Sequence, residues 1–282
     1  MAEEWALYLG FGSVAGILSG LFGIGGGVVI VPFLVWLFGR EGFPDDAAMV
    51  MAVATSLATI IVTSVSAVRA HHWRGAIHWR TVAKLAPGIL AGSVLGSIIA
   101  HHLPVLWFKL IFALFLLYVA LRMLLGSPAD QGHGRTPCAA IFAVAGMLIG
   151  AASSVLGIGG GTLSVPFLVK CRYPMRNAVA ISAACGFPIA VAGTATYVIL
   201  GWREAGLPAW SFGYVYLPAF AGIILTSVPF APLGAYLAHH WPTSRLRRIF
   251  AVVLAGVGGK LLWQAAQPAW PLLIDYLKQW SA

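Results

Sequence analysis

Charge is scarce in this chain. Of its 282 residues, 17 are Lys or Arg and 8 are Asp or Glu, so 9% are charged while 60% are apolar. A soluble domain carries about 25% charged residues, and a mean hydropathy of +0.90 excludes soluble enzymes and disordered chains. The acids are absent from the apolar runs altogether. Glu3, Glu4, Glu41, Asp45, Asp46, Asp130, Glu204 and Asp275 all fall in termini or connections. Cation sites and proton relays in membranes normally depend on carboxylates, so a cation carrier and a carboxylate-based pump are disfavoured. An anionic substrate needs no such group.

Other absences narrow the reading further. Cys138, Cys171 and Cys185 are odd in number and widely spaced, which fits neither a disulfide framework nor a zinc site; no metal, nucleotide or other cofactor is expected. Despite a formal charge of +9 there is no basic tract, so nucleic acid is not an expected partner. The start, Met1, Ala2, Glu3, Glu4, lacks the basic opening and small-residue cleavage site of a signal peptide, so the first hydrophobic segment is expected to stay in the mature protein. The glycines from Gly10 to Gly16 have neither the strand nor the ribose-binding acid of a dinucleotide fingerprint. Three histidine pairs, His71–His72, His101–His102 and His239–His240, sit at expected membrane boundaries beside Trp or Pro and read as interface anchors or helix ends.

Apolar stretches do recur, at about 5–22, 26–38, 46–68, 83–100 and 105–125, then at about 137–156, 160–169, 177–200, 212–238 and 244–265. Eight are long enough to span a hydrocarbon core about 30 Å thick at 1.5 Å per residue; 26–38 and 160–169 are too short. The two sets are copies. Residues 23–34 read GIGGGVVIVPFL and 157–168 read GIGGGTLSVPFL; 95–104 reads LGSIIAHHLP and 233–242 reads LGAYLAHHWP. A first repeat over 1–126, a central cytoplasmic linker over 127–136, a second repeat over 137–266 and an amphipathic tail over 267–282 follow.

Lys and Arg accumulate on cytoplasmic loops. The first copy is basic between 69 and 84 (Arg69, Arg74, Arg80, Lys84), whereas the second is basic on either side of the corresponding connection (Lys170, Arg172, Arg176; Arg245, Arg247, Arg248). With Arg122 and Arg135 counted as cytoplasmic, 12 bases lie on one face and five on the other. This split predicts an all-α polytopic membrane protein of two inverted-topology repeats of about five helical segments each, in the cytoplasmic membrane, with both termini outside. Each long segment with its short GIGGG-linked partner then forms either a re-entrant hairpin or a broken crossing. Non-helical backbone at that depth is tolerated where protein buries it or a polar cavity receives it, and in transporters with inverted repeats the substrate sits there.

GIGGG has a chemistry of its own. Gly25, Gly26 and Gly27 can take positive φ and expose amide N–H groups at the positive end of a short helix, and Gly159, Gly160 and Gly161 repeat the feature. Such a terminus binds anions. Ser19, Ser153 and Ser154 lie just before the turns and Thr162 and Ser164 just after the second; Thr55, Ser56 and Ser182, with Cys185 nearby, place further hydroxyls and a thiol in apolar spans. Close helix contact through small residues is the structural alternative for the glycines, and bonding to the helix's own carbonyls that for the hydroxyls. Arg176 and Asn177 open a span as an anion guide or as an ordinary basic flank.

The doubled GxGGG-xxx-VP-x-L motif, the Ala-rich span with Thr55 and Ser56, and the LG pairs at 95–96 and 233–234 resemble the sulfite exporter TauE/SafE family, also called the 4-toluene sulfonate uptake permease family, from about Leu7 to Leu262. The resemblance implies an inner-membrane carrier of sulfur-containing anions such as sulfite, sulfonates, sulfoacetate or thiosulfate, with the functional motif on Gly23–Gly27 with Pro32 and Gly157–Gly161 with Pro166. Aligned by sequence, Thr55 meets Ile181 and Ser56 meets Ser182, a departure from symmetry. The expected protein is thus a secondary transporter and not an enzyme. It moves a small anion by alternating access, and its partners are that anion, the lipid bilayer and a second copy of the chain. An anion channel, a carrier of a non-sulfur organic anion, and a membrane-embedded enzyme or assembly factor are the alternatives.

Overall fold

The structure is a computed structural model and describes residues 2–22, 26–125, 139–240 and 243–267. Among them are ten helices: α1 (Ala2–Phe22), α2 (Gly27–Arg40), α3 (Asp45–Trp73), α4 (Trp79–His102), α5 (Val105–Leu125), α6 (Ala139–Leu156), α7 (Gly161–Lys170), α8 (Met175–Gly201), α9 (Leu217–His240) and α10 (Thr243–Ala266). Five of these, in α3, α4, α5, α6 and α8, are long and apolar enough to cross a membrane. The chain is an all-α polytopic membrane protein. As the apolar run lengths require, α2 and α7 are short, with 14 and 10 residues. The expected linker, 127–136, and the tail beyond 267 lie outside the described residues.

The sixth to tenth helices follow the first five in order, each set holding one short helix in second place, but the spacing drifts for identifiable reasons. The GIGGG turns are offset by 134 residues; α7 is shorter than α2, so α3 and α8 are offset by 130. Pro44 and Pro174, extended at ψ 131° and 144°, precede these two helices, and the residues two positions earlier, Gly42 and Arg172, both have positive φ (76° and 68°). This register corrects the sequence alignment. Thr55 corresponds to Cys185 and Ser56 to Gly186, while Ser182 corresponds to Ala52. A second correction concerns the run 212–238, which is not one helical segment. Ser211–Phe212 (β1) pairs antiparallel with Val215–Tyr216 (β2) around Gly213 at φ 57°, and α9 begins only at Leu217. The inserted hairpin accounts for the larger offset of 138 downstream.

The chain divides into two units. The first comprises Met1–His102 and Ala129–Trp241, the second Leu103–Pro128 and Pro242–Ala282. In the second, α5 and α10 pair, with Gly258 set against Ala113, Leu116 and Leu117. In the first, α4 runs parallel to α6. Gly88, Gly92 and Gly96 lie against the backbones of Ala143, Met147 and Ala151, a small-xxx-small contact of the membrane type. The counterparts α1 and α9 run parallel in the same way, with Gly12 against Ile223 and Gly16 against Ser227.

Helix α3 is buried along its first half, where Met51, Ala52, Val53, Ala54, Thr55, Ser56 and Leu57 are all at 0% exposure. It runs antiparallel to α8. At one end Asn177 Nδ2 donates to Ala76 O (2.9 Å) and Arg176 to Arg74 O (3.3 Å); at the other the Tyr216 amide, beyond the end of α8, donates to Thr55 Oγ1 (3.0 Å).

A matching ring pair lies at each end. Phe43 meets Tyr216 edge-on (5.1 Å, 86°), and their counterparts Tyr173 and His78 meet at 5.7 Å and 88°. Tyr173 also bonds Thr81 (2.7 Å). Beside the first pair the Tyr8 hydroxyl donates to Glu41 Oε1 (2.7 Å). Burial pushes the Glu41 carboxyl above its ordinary range, the Tyr8 bond pulling it partly back. Ionising a carboxyl raised in this way costs folded-state stability. That stability is fully present below the unfolded value of about 4.3 and lost as pH rises through the raised folded value. Glu41→Gln removes the loss, so melting curves recorded from pH 4 upward should fall for the wild type relative to the variant.

Candidate functional site

Both GIGGG segments end in the same local geometry. Gly26 (φ 43°, ψ −33°) precedes α2 and Gly160 (φ 76°, ψ −12°) precedes α7. These are backbone conformations that residues with a Cβ seldom adopt. The Gly26 carbonyl accepts from the amides of Val29 (2.9 Å) and Ile30 (3.0 Å); that of Gly160 accepts from Leu163 (3.0 Å) and Ser164 (2.8 Å). Neither N-cap glycine has a side chain to cap its helix. Among the described residues, the first amides of each helix, on Gly27 and Val28 and on Gly161 and Thr162, therefore stand at a positive dipole end without a capping side chain.

The two segments also touch. A Cβ on Gly27 would run into the Gly157 carbonyl oxygen and lie 3.1 Å from Ile158 Cα. Gly157, at φ 65°, is held by Ser56, whose Oγ donates to its carbonyl at 2.8 Å, and the Ile158 amide donates to Ser153 O at 3.0 Å. Ser56→Ala leaves a buried carbonyl with one partner fewer, at a cost of about 1–3 kcal/mol. A lowered melting temperature of the purified variant is the expected result.

Hydroxyl groups surround the second turn. Ser153 and Ser164 are 0% and 1% exposed, and neither Oγ has a hydrogen-bond partner; the same is true of Thr162 Oγ1. Built onto Gly160, a Cβ would stand 3.3 Å from Ser164 Oγ and 3.6 Å from Ser153 Oγ. The missing side chain thus opens onto two buried, unpartnered donors. An orphaned buried hydroxyl costs about 1–3 kcal/mol, which a bound acceptor would recover.

A family model described as "Sulfite exporter TauE/SafE" matches residues 8–261. The chain belongs to this family. Among similar proteins, one from Haemophilus influenzae named "Probable membrane transporter protein" is 38% identical over 243 residues, covering 86% of this chain and 92% of its own length. A protein of the same description from Methanocaldococcus jannaschii is 27% identical over 88% of this chain and 91% of its own. One from Bacillus subtilis is 25% identical over 90% and 95%. No solved structure matches. The family and these names make the protein a multi-pass membrane transporter.

Of the TauE/SafE motif and its neighbours, the structure sets Gly27 against Gly157 and Ile158, bonds Ser56 to Gly157, and places Ser153 beside Gly160 and Ile60 against both Gly27 and Gly159. Ser19 reaches the first turn, its Cβ 3.9 Å from the Cβ position of Gly26. Gly25 lies outside the described residues. Thr55 faces the β-hairpin through Tyr216 and is not at the turns. Ser182 is 2% exposed with an unpartnered hydroxyl on α8. Ser164 and Thr162 are stronger candidates than their place in the sequence suggested; their signal was that they replace Ile30 and Val28 of the first motif. Ser154, also singled out in the sequence, joins α6 to its neighbours rather than facing the turn: its Oγ donates to Ser93 O on α4 (2.8 Å) and the Tyr197 hydroxyl of α8 donates to Ser154 O (3.1 Å). Two histidine pairs have aromatic neighbours, His72 with Trp79 (3.3 Å) and His101 with Tyr214 (3.1 Å).

Proposed function

We propose that this TauE/SafE protein is a secondary transporter of a small sulfur-containing anion, carried across the cytoplasmic membrane by alternating access. The observation that carries the reading is the contact of the α2 start at Gly27 with the Gly157–Ile158 turn that leads into α7, beside the buried hydroxyls of Ser153 and Ser164, which lack partners. Each start is equivalent to about half a positive charge, so the two together match a monoanion without any Lys or Arg in the site. The family description favours a sulfur oxyanion as cargo.

Alternating access is supported by the way the halves relate. Helices α3 and α8, which correspond in the two halves, run antiparallel, as an inverted repeat requires, and equivalent ring pairs stand at opposite ends of them. In this reading each ring pair closes one side while the anion waits between, and both termini lie outside. The test is uptake of radiolabelled sulfite and methanesulfonate into proteoliposomes containing the purified protein. Saturable uptake with exchange of preloaded unlabelled anion is expected. Uptake without exchange would make the protein a channel, and no uptake of either anion would refute the reading.

A further inference from the structure

Equivalent joints stand at the two ends of the α3–α8 pair, and they are fastened by different chemistry. At the first, Tyr8 belongs to α1, which is fixed to α9: a Cβ on Gly222 would lie 2.6 Å from Tyr8 Cβ. Tyr216 ends the hairpin that runs straight into α9. Across the joint, at the corner between α2 and α3, stand Phe38, Glu41 and Phe43. Tyr216 meets Phe38 edge-on (5.6 Å, 89°) and Phe43 likewise, its amide reaches Thr55, and the Tyr8 hydroxyl donates to Glu41 Oε1 at 2.7 Å. In the register that pairs Gly12 with Gly146 and Pro44 with Pro174, Tyr8 corresponds to Phe142 and Glu41 to Cys171, both buried. The second joint is bridged instead by two neutral hydroxyls, those of Thr81 and Tyr173 (2.7 Å). At the position of the acid it has a thiol.

We infer that the Tyr8–Glu41 pair is a proton-operated latch on one face of the transporter, shut by acid and released as the carboxyl ionises, with no equivalent on the opposite face. The inference takes from the reading above only that this end opens. The groups facing Glu41 are the Tyr8 hydroxyl and the Glu4 carboxyl of α1, the amino terminus of the chain, and Tyr216 on the hairpin; its neighbour Arg40 is paired with Glu3 (3.7 Å). Burial disfavours the Glu41 anion and Glu4 acts in the same direction, while the Tyr8 bond and the amino terminus oppose them. Opening the joint returns the carboxyl to water and to its ordinary value. The anion therefore favours the open joint and the neutral acid the closed one. The latch is complete while Glu41 is neutral and weakens as pH rises through the raised value. Its proton enters from and returns to the same aqueous side, so it sets how readily this face opens and drives nothing across the membrane.

Hydrogen exchange of the hairpin, followed by mass spectrometry of peptides covering 211–217, reads this opening without any substrate, because Thr55 holds the Tyr216 amide across the joint. Exchange is measured on the purified full chain from pH 4 to pH 8 and corrected by the rates of the unfolded peptides. Glu41→Gln keeps an acceptor for Tyr8 and never ionises. The wild-type rate should match that of Glu41→Gln at pH 4 and exceed it at least about threefold at pH 8. Tyr8→Phe, which gives position 8 the side chain that Phe142 presents at the other end, removes a bond that steadies the anion. It should move the midpoint of the rise to higher pH. A wild-type to Glu41→Gln ratio that stays constant from pH 4 to pH 8, or a midpoint unmoved in Tyr8→Phe, would overturn the latch. If Glu41→Gln does not fold, the midpoints of wild type and Tyr8→Phe decide the matter alone. Failure of the transport reading looks different: uptake is missing, or proceeds without exchange of preloaded anion, while the hairpin still opens as pH rises.

Discussion

Replacing Gly160 by valine should lower anion uptake at least about a hundredfold. The backbone there is left-handed at φ 76°, which costs an L-residue about 1–2 kcal/mol and a β-branched one more. The new Cβ would also stand 2.7 Å from Ile189 Cδ1, a flexible tip that can yield. The larger consequence is for the site. The side chain would occupy the space that opens onto Ser153 and Ser164, separating the anion from two hydroxyls and from the first amides of α7. Hydrogen bonds to a charged group contribute about 1.5–3 kcal/mol each, so loss of two corresponds to a hundredfold or more. Uptake into proteoliposomes measures the effect, with elution volume and melting temperature showing that the protein still folds. Gly10, where an added Cβ meets nothing within 4 Å, supplies the control: Gly10→Ala should transport like the wild type. Undiminished uptake in folded Gly160→Val would remove the anion from this turn.

Gly92→Leu should instead prevent folding. A Cβ at Gly92 would run into the carbonyl oxygen of Met147 and lie 2.7 Å from its carbonyl carbon and 2.8 Å from its Cα. These are backbone atoms of a neighbouring helix, and no rotamer change relieves the overlap. Helices α4 and α6 would have to separate along Gly88, Gly92 and Gly96, losing the close contact on which membrane helix pairing relies. Overpacking of a tight contact costs about 1–3 kcal/mol, and more where the backbone must shift. Several kcal/mol is a large part of a typical folding free energy. The variant is expected to aggregate on extraction into detergent, whereas Gly39→Ala, at another position with no neighbour within 4 Å, should elute and melt like the wild type. A monodisperse Gly92→Leu protein with an unchanged melting temperature would contradict the α4–α6 contact.

These two glycines show how far the sequence could be read and where reading stops. Both stand in apolar runs. The doubled GIGGG marked Gly160 as a turn because a repeated cluster of glycines before a short Pro-bearing run has a local backbone meaning, independent of what packs around it. The ten segments and the two short helices were legible for the same reason, since run length is a property of the chain alone. Gly92 carried no such mark; its importance is the carbonyl of Met147, more than fifty residues away.

The hairpin at 211–216 is hidden because Trp210, Phe212, Tyr214, Val215 and Tyr216 are apolar in a strand as in a helix, and the positive φ at Trp210 and Gly213 that turns the chain exists only in the fold. That missed hairpin and the shorter α7 also explain the alignment error at Thr55 and Ser56. Thr55 then proved to bond the very hairpin that had been missed, while Ser56, aligned to the wrong serine, still reached the turn of the other half. In the sequence Ser164 is one hydroxyl among several, because its burial beside Gly160, without a partner, exists only in three dimensions.

The most direct test of the central claim is the position of a bound anion. Crystals of the protein with 4-bromobenzenesulfonate, measured at the bromine absorption edge, locate the ligand through its anomalous signal and the sulfonate through the connected density. The sulfonate oxygens are expected within hydrogen-bond reach of the Gly161 and Thr162 amides and of the Ser153 and Ser164 hydroxyls, beside the contact between Gly27 and the Gly157–Ile158 turn. A ligand bound with full occupancy elsewhere, with those hydroxyls still unpartnered, would contradict it.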